Sequence, residues 1–385
     1  MEPGASSDEQ GSPGRTTLFT NEYLVLRAEL NERHRWLRRL ALASVLATFA
    51  LIVLGGVVRV TGSGLGCGGE WPLCDGSLIP PLTKEDIIEY SHRLVASAIV
   101  GPLIVATFLV AVFRYRRIPS VIMPSSVAVV FLLAQGGLGG VTVLTELPGH
   151  VVAAHLALAQ ALLGCLIWLT VSAYRVKDSD RSPPVESEVL QATQMSSMES
   201  DAGSDKGKAE RPDTFPRLAV FTAIATYFLL LSGAYVTATT GALAACSHWP
   251  LCDGSGSLWP STNLELVHML HRVVAALIGV LILYTMFRAF RYGMARLSSG
   301  GLWILFIASF GGALLLTQVI IGAAAIWSNF PVLLRAYHIG LATAVWGLMA
   351  AVALLSRSEP AEQDIVLRRG LTVDEVQNST TSLDT

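Results

Sequence analysis

Long stretches without Lys, Arg, Asp or Glu alternate with short charged ones along the chain. The uncharged runs cover 40–58, 94–113, 118–145, 147–174, 218–252, 273–287, 298–334 and 336–356. A helix needs about 20 apolar residues to cross the hydrocarbon of a bilayer. The longest runs therefore spill into loops, and the run at 273–287 borrows polar residues that precede it. The pattern predicts eight membrane-spanning helices, near 40–60, 87–113, 120–142, 148–174, 217–239, 264–288, 301–325 and 331–356.

Composition agrees. Of 385 residues, 52% are hydrophobic and 15% charged, where a soluble domain carries about 25% charge. The 27 basic and 29 acidic residues leave a net charge of −2, too small a field to draw nucleic acid. The expected class is an all-α polytopic membrane protein with the lipid bilayer as its surroundings. Basic residues cluster before the first helix (Arg33, Arg35, Arg38, Arg39), between helices 2 and 3 (Arg114, Arg116, Arg117) and between helices 6 and 7 (Arg288, Arg291, Arg296). The 61–88 loop has only Lys84 against Glu70, Asp75, Glu85 and Asp86. Positive residues stay inside, so both termini are expected in the cytoplasm and the Cys-containing loops on the outer face. No cleavable signal peptide is expected, because the polar start is too long and lacks an apolar core. Residues 1–36 read as a cytoplasmic extension, 176–214 as a flexible cytoplasmic linker and 357–385 as a cytoplasmic tail. All three are polar and poor in apolar residues.

The chain repeats itself. Trp71-Pro72-Leu73-Cys74-Asp75-Gly76-Ser77 recurs as Trp249-Pro250-Leu251-Cys252-Asp253-Gly254-Ser255, an offset of 178. Thr61-Gly62, Cys67 and His92-Arg93 recur at 179, as Thr240-Gly241, Cys246 and His271-Arg272. Gln135, Gly139 and His155 recur at 183, as Gln318, Gly322 and His338. Chance likeness between apolar helices does not explain the polar matches. Each half, 37–175 and 215–356, holds four helices, so the second enters the membrane as the first does. The expected architecture is two parallel pseudo-symmetric four-helix bundles.

Histidine within a membrane helix is rare and usually faces a bundle interior. Four of the eight histidines recur in pairs: His92 and His155, His271 and His338. Pro148 and Pro331 read as first helical residues, placing His155 and His338 two turns, roughly 10 Å, into the membrane. Adjacent helix axes lie about 8–10 Å apart, so a diagonal pair would present two imidazoles to one haem iron from opposite sides. Interhelical hydrogen bonding, or a zinc or copper site, are the alternatives for these residues. His34 is expected to be solvated. His150 and His248 read as surface residues or haem-edge contacts.

The repeat breaks at the start of helix 2. Glu89 corresponds to His268. Glu89 lies three residues before His92, on the same helix face. A carboxylate beside one site and not the other suggests different jobs, one half reactive and the other passing electrons. An interfacial carboxylate favoured by the helix dipole is the plainer reading.

Of five cysteines, Cys165 falls within helix 4. The repeat pairs the others within loops, Cys67 with Cys74 and Cys246 with Cys252. Outer-face disulfides are permitted, and these would hold the Gly-rich loop from Thr61 to Gly69 as a lid. They could be structural or redox-active.

The segments Thr61-Gly62-Ser63-Gly64-Leu65-Gly66-Cys67, Glu70-Trp71-Pro72-Leu73-Cys74-Asp75-Gly76 and Ile88-Glu89-Tyr90-Ser91-His92-Arg93 closely resemble the heme A synthase family of the bacterial, cysteine-containing type. The likeness covers roughly 36–356. It implies an oxidoreductase of a bacterial cell membrane that converts heme O to heme A for terminal oxidase biogenesis, oxidising the C8 methyl to a formyl group through an alcohol. The resemblance implies that His92 and His155 hold substrate heme O, that His271 and His338 hold haem b, and that Glu89 is catalytic. Arg93 and Arg272 are candidate cofactor-binding residues, as propionate partners. Heme O synthase, terminal oxidase assembly factors and a second copy of the chain are the implied partners. A di-haem b electron carrier without chemistry is the competing reading. The upstream prenyltransferase is not expected, since no Asp-rich motif occurs on an inner loop.

Overall fold

The computed structural model describes residues 14–74, 76–77, 83–176, 214–252, 259–295 and 299–357, with side chains from residue 34 onward except at 299–300. The expected linker and tail, apart from residues 176, 214 and 357, lie outside these residues, as do Asp75 and residues 253–255 of the repeated block. The fold is all-helical. Among the described residues the only β-type pairing is a single bridge between Cys74 and Ser77.

Eight helices are long and apolar enough to cross a membrane, as a multi-pass membrane protein requires. They are α1 (Gly14–Thr61), α2 (Lys84–Tyr115), α3 (Pro119–Leu144), α4 (Gly149–Arg175), α5 (Phe215–Ala238), α6 (Asn263–Ala295), α7 (Ser299–Trp327) and α8 (Val332–Leu355). All eight expected spans are found. Helix α1 starts well before the expected 40, so part of the amino-terminal extension continues the helix. No Gly or Pro interrupts 15–39, and its Arg, Glu and Leu are good helix formers. Pro331 is the N-cap of α8 and not its first residue.

Local chemistry sets the helix ends. Thr83 Oγ1 accepts from the Asp86 amide at 3.3 Å at the start of α2. Thr262 Oγ1 accepts from the Glu265 amide at 3.2 Å, while Glu265 Oε2 accepts from the Ser261 amide at 2.7 Å, a variant of the capping box. Helix α2 contains one π turn, Ala96–Val100, closed by the Gly101 amide on the Ala96 carbonyl. Such turns insert a residue and re-aim the helix.

The turns before α4 and α8 match. Glu146 and Leu147 take φ of 61° and 60°, and Asn329 and Phe330 take 57° and 57°. Leu147 N–H bonds Thr142 O at 2.9 Å, and Phe330 N–H bonds Ala325 O at 2.6 Å. Each left-handed non-glycine residue costs about 1–2 kcal/mol. The same cost, in the same place, sets His155 and His338 eight residues beyond equivalent positions.

The chain forms two compact units. Unit 1 comprises Met1–Leu51, Arg93–Gly136 and Cys165–Arg211. Its core joins Leu37 and Ala41 of α1, Ala111 and Tyr115 of α2, Val121 of α3, and Leu169 and Ala173 of α4. Arg38 Nε donates to the Ala173 carbonyl at 3.2 Å. His34 is buried there, 2.8 Å from Tyr115 Oη, which corrects the expectation of a solvated side chain. Its neighbours Arg33 and Arg35 do not set its exposure, because α1 turns it towards α2. Cys165 is a buried free thiol that donates to the Pro124 carbonyl at 3.1 Å.

Unit 2 comprises Ile52–His92, Gly137–Gly164 and Pro212–Thr385. Here α5 packs on α6 and α8, and α7 packs on α6 and α8. Helices α6 and α8 therefore face each other across this ring. Its core includes Phe215, Ala219, Ile282, Met286, Ala308 and Met349. Thr222 and Thr285 bond side chain to side chain at 2.8 Å in unit 2, and Ser44 and Thr107 do so at 3.1 Å in unit 1. Both members shift by 178 from one pair to the other.

Candidate functional site

All four repeated histidines lie in unit 2, and each ring rests on a glycine of another helix. A Cβ built on Gly55 of α1 would lie 3.0 Å from His92 Cε1. On Gly139 of α3 it would lie 3.1 Å from His155 Cε1. The corresponding distances are 3.0 Å from Gly233 of α5 to His271 and 2.9 Å from Gly322 of α7 to His338. Real Cβ contacts are rarely this short, so hydrogen at these positions lets each imidazole lie against a neighbouring backbone. The nearest ring atom is Cε1 in every case.

A further contact orients one of the rings, and another holds the backbone that carries a second. Ser232 Oγ lies 2.8 Å from His271 Nδ1. Gln318, one turn before Gly322, donates from Nε2 to the His338 carbonyl at 3.0 Å. Gln160 and Thr343 lie five residues beyond His155 and His338. They are fully buried, and Gln160 Nε2 donates to Thr343 Oγ1 at 2.9 Å. Their separation of 183 is the repeat offset itself.

Glu89 is buried at the start of α2, and its Oε2 accepts from the Cys67 amide at 2.9 Å. That amide belongs to a loop closed by the Cys67–Cys74 disulfide. The loop packs down on its surroundings. A Cβ on Gly66 would lie 2.5 Å from the Glu85 carbonyl carbon, so only glycine fits. Trp71 lies over Gly140, where a Cβ would come within 3.1 Å of its ring. One short loop thus touches the α2 segment carrying Glu89 and the α3 segment that seats His155.

The second loop is closed by Cys246–Cys252 and held differently. Arg272 Nη1 donates to the carbonyls of His248, Leu251 and Pro250 at 2.7, 2.8 and 3.1 Å. His268 is buried where the first half has Glu89, 6.3 Å from the Phe330 ring, and hydrogen-bonds the Ala242 backbone. Trp249 packs edge-on to Trp327 at 5.9 Å. Ala323 stands where the first half has Gly140. Arg93 is half-buried, and its carbonyl accepts from Ser97 Oγ at 2.9 Å. His150 and His248 are exposed.

Two arginines that the repeat does not duplicate close helix ends. Arg59 donates to the Thr237 carbonyl at 3.1 Å, and Arg335 to the Val60 carbonyl at 3.4 Å. Cations suit the carbonyl ends of α5 and α1.

The sequence model of the COX15-CtaA family, described as cytochrome oxidase assembly protein, matches residues 38–350. The chain belongs to the COX15-CtaA family. It is similar to a protein named Heme A synthase from Shouchella clausii, 31% identical over 295 residues, covering 74% of this chain and 88% of that one. A Heme A synthase of Symbiobacterium thermophilum is 31% identical over 332 residues, covering 83% and 95%. A Heme A synthase of an Exiguobacterium species is 30% identical over 320 residues, covering 83% and 93%.

In this COX15-CtaA member the sequence singled out the histidines, Glu89 and the cysteines, and the structure seats the histidines on glycines and joins Glu89 to Cys67. Both expected cysteine pairings form. Sequence reasoning missed Ser232, Gly55 and Gly233. The two glycines recur at 178 and could have been found by that signal. Ser232 stands opposite Leu54 and carried none. Among the described residues no three His, Cys, Asp or Glu side chains converge as a metal site. What the arrangement offers instead is four imidazoles, each set against a glycine of another helix.

Proposed function

We propose that this COX15-CtaA member is a heme A synthase, an oxidoreductase that oxidises the C8 methyl of heme O to a formyl group by way of the hydroxymethyl stage. The carrying observation is the set of four glycine-seated histidines, two in each half of the duplication, with buried Glu89 in the first half where the second has His268. The relatives' shared name supports the same reaction.

In this reading His92 and His155 hold substrate heme O, and His271 and His338 hold haem b. The residues fit such groups. Each ring lies against a glycine of another helix, His271 Nδ1 is engaged by Ser232, and α6 and α8 face each other across their ring. Haem b supplies one-electron transfer when bound. Glu89 is fixed by the Cys67 amide and shielded from water, so it stabilises positive charge developing at the oxidised methyl carbon. A preoriented carboxylate needs no reorganisation at that moment. Arg272 serves here as the clamp of the second loop. Its Nε and Nη2 have no partner among the described residues, which leaves them for a haem carboxylate. Arg93 is assigned the same role in the first half.

The two halves are read as parallel bundles related by a pseudo-two-fold axis, supported by the Gln160–Thr343 bond between equivalent positions. Both termini lie in the cytoplasm and the Cys loops outside a bacterial inner membrane. Basic residues between helices 2 and 3 and between helices 6 and 7 support this orientation, as do two loop disulfides.

The test is chromatography of haems extracted from membranes carrying the wild type or Glu89→Ala. Heme A, or its hydroxylated precursor, in the wild type alone is expected. Identical profiles with only haem b would make the protein a di-haem electron carrier.

A further inference from the structure

We propose that Ser232 is a positioning residue that fixes His271 in the tautomer with its proton on Nδ1, leaving Nε2 to bind iron, a role that Leu54, at the matching position of the first half, has no hydroxyl to fill. It rests on the reading of His271 as a haem ligand.

Two contacts of one hydroxyl favour this tautomer. Ser232 Oγ can give its one proton to the Leu229 carbonyl at 2.7 Å. It then offers a lone pair to His271 Nδ1, 2.8 Å away. With the imidazole as donor there, the ring lone pair lies on Nε2, where an iron would bind. The adjacent residue, Gly233, seats the Cε1 edge of the same ring. Two successive residues of α5 thus meet the Cε1 edge and the Nδ1 of one ring. A ligand imidazole that donates from its second nitrogen is more basic at the first and stabilises the ferric state.

The first half lacks this device at the matching place. Gly55 seats His92 as Gly233 seats His271, but the preceding residue is Leu54. Whatever else His92 touches, Leu54 has no hydroxyl to accept its proton. A resident cofactor must be kept and a substrate must leave, and the residue before the cradle glycine differs in the direction that this division requires.

The test uses the full-length protein in detergent, with redox titration of each haem, a low-spin ferric spectrum, and haem retention on dilution. Ser232→Ala should raise the midpoint of one haem only and weaken its retention about tenfold, the scale for losing a partner of a metal-bound histidine. Ser232→Thr should restore both. Wild-type midpoints and retention in Ser232→Ala would overturn the proposal. Leu54→Ser offers a second route: a lowered midpoint of the other haem supports it, and an unchanged one counts against it. His271→Ala separates the two levels of the argument. Loss of one low-spin haem keeps the ligand assignment, so that a null result in Ser232→Ala sinks the serine role alone. Retention of both removes the ligand reading and this inference together.

Discussion

The Cys67 amide donates to Glu89 Oε2 at 2.9 Å, so the half-cystine that closes the first loop also holds the carboxylate that breaks the repeat. Cys246 occupies the equivalent loop position, and the residue equivalent to Glu89 is His268. The carboxylate accepts from its loop. His268 meets the Ala242 backbone of the other loop.

Opening the first loop should therefore affect conversion more than opening the second. Closing a loop of this size contributes about 2–3 kcal/mol by chain entropy. Replacing Cys67 and Cys74 by Ser removes it and frees the Glu89 anchor. Extracted haems should show less heme A, with haem b content kept. Replacing Cys246 and Cys252 by Ser should lower stability without the same loss of product. Equal yields from the two double variants would show that the Cys67 contact does not position Glu89.

Alanine at a cradle glycine should displace the imidazole. Gly139→Ala and Gly322→Ala each put a methyl about 3 Å from a histidine ring, an overpacking that costs about 1–3 kcal/mol. Each should weaken one low-spin haem signal in the visible spectrum. Gly136→Ala is the control, because nothing lies within 4 Å of its Cβ position. It should leave the spectrum unchanged and gain up to about 1 kcal/mol of helix propensity.

The Gln160–Thr343 pair should behave non-additively. Thr343→Val leaves a buried amide without its acceptor and should cost about 1–3 kcal/mol. Gln160→Leu combined with Thr343→Val removes both polar groups and should recover most of that loss. Thermal unfolding in detergent reads the difference. Simple addition of the single effects would show that the bond contributes nothing.

Arg272→Met should loosen the second loop. It removes donation to three carbonyls between His248 and Leu251. Amide exchange of residues 246–252 should speed up, while exchange at 64–74 stays as in the wild type. Unchanged exchange at 246–252 would place the arginine's role elsewhere.

Hydropathy along the chain sets the eight spans, because a bilayer demands a minimum length of uncharged helix whatever the packing. The duplication is legible in the sequence too, because polar identities survive at fixed offsets among interchangeable apolar residues. The sequence also singled out His92, His155, His271, His338 and Glu89, because ionisable groups are costly in a membrane. Tertiary structure alone decided what those groups touch. That Gly55 meets His92, that Ser232 rather than Leu54 stands beside a ring nitrogen, and that Cys67 faces Glu89 depend on helix rotation and loop path, which hydropathy does not encode. His34 makes the same point: an arginine-rich flank reads as solvated, yet α1 buries that ring against Tyr115. Periodicity gives length and depth in the membrane. Partners follow only from how ridges and small residues of separate helices meet.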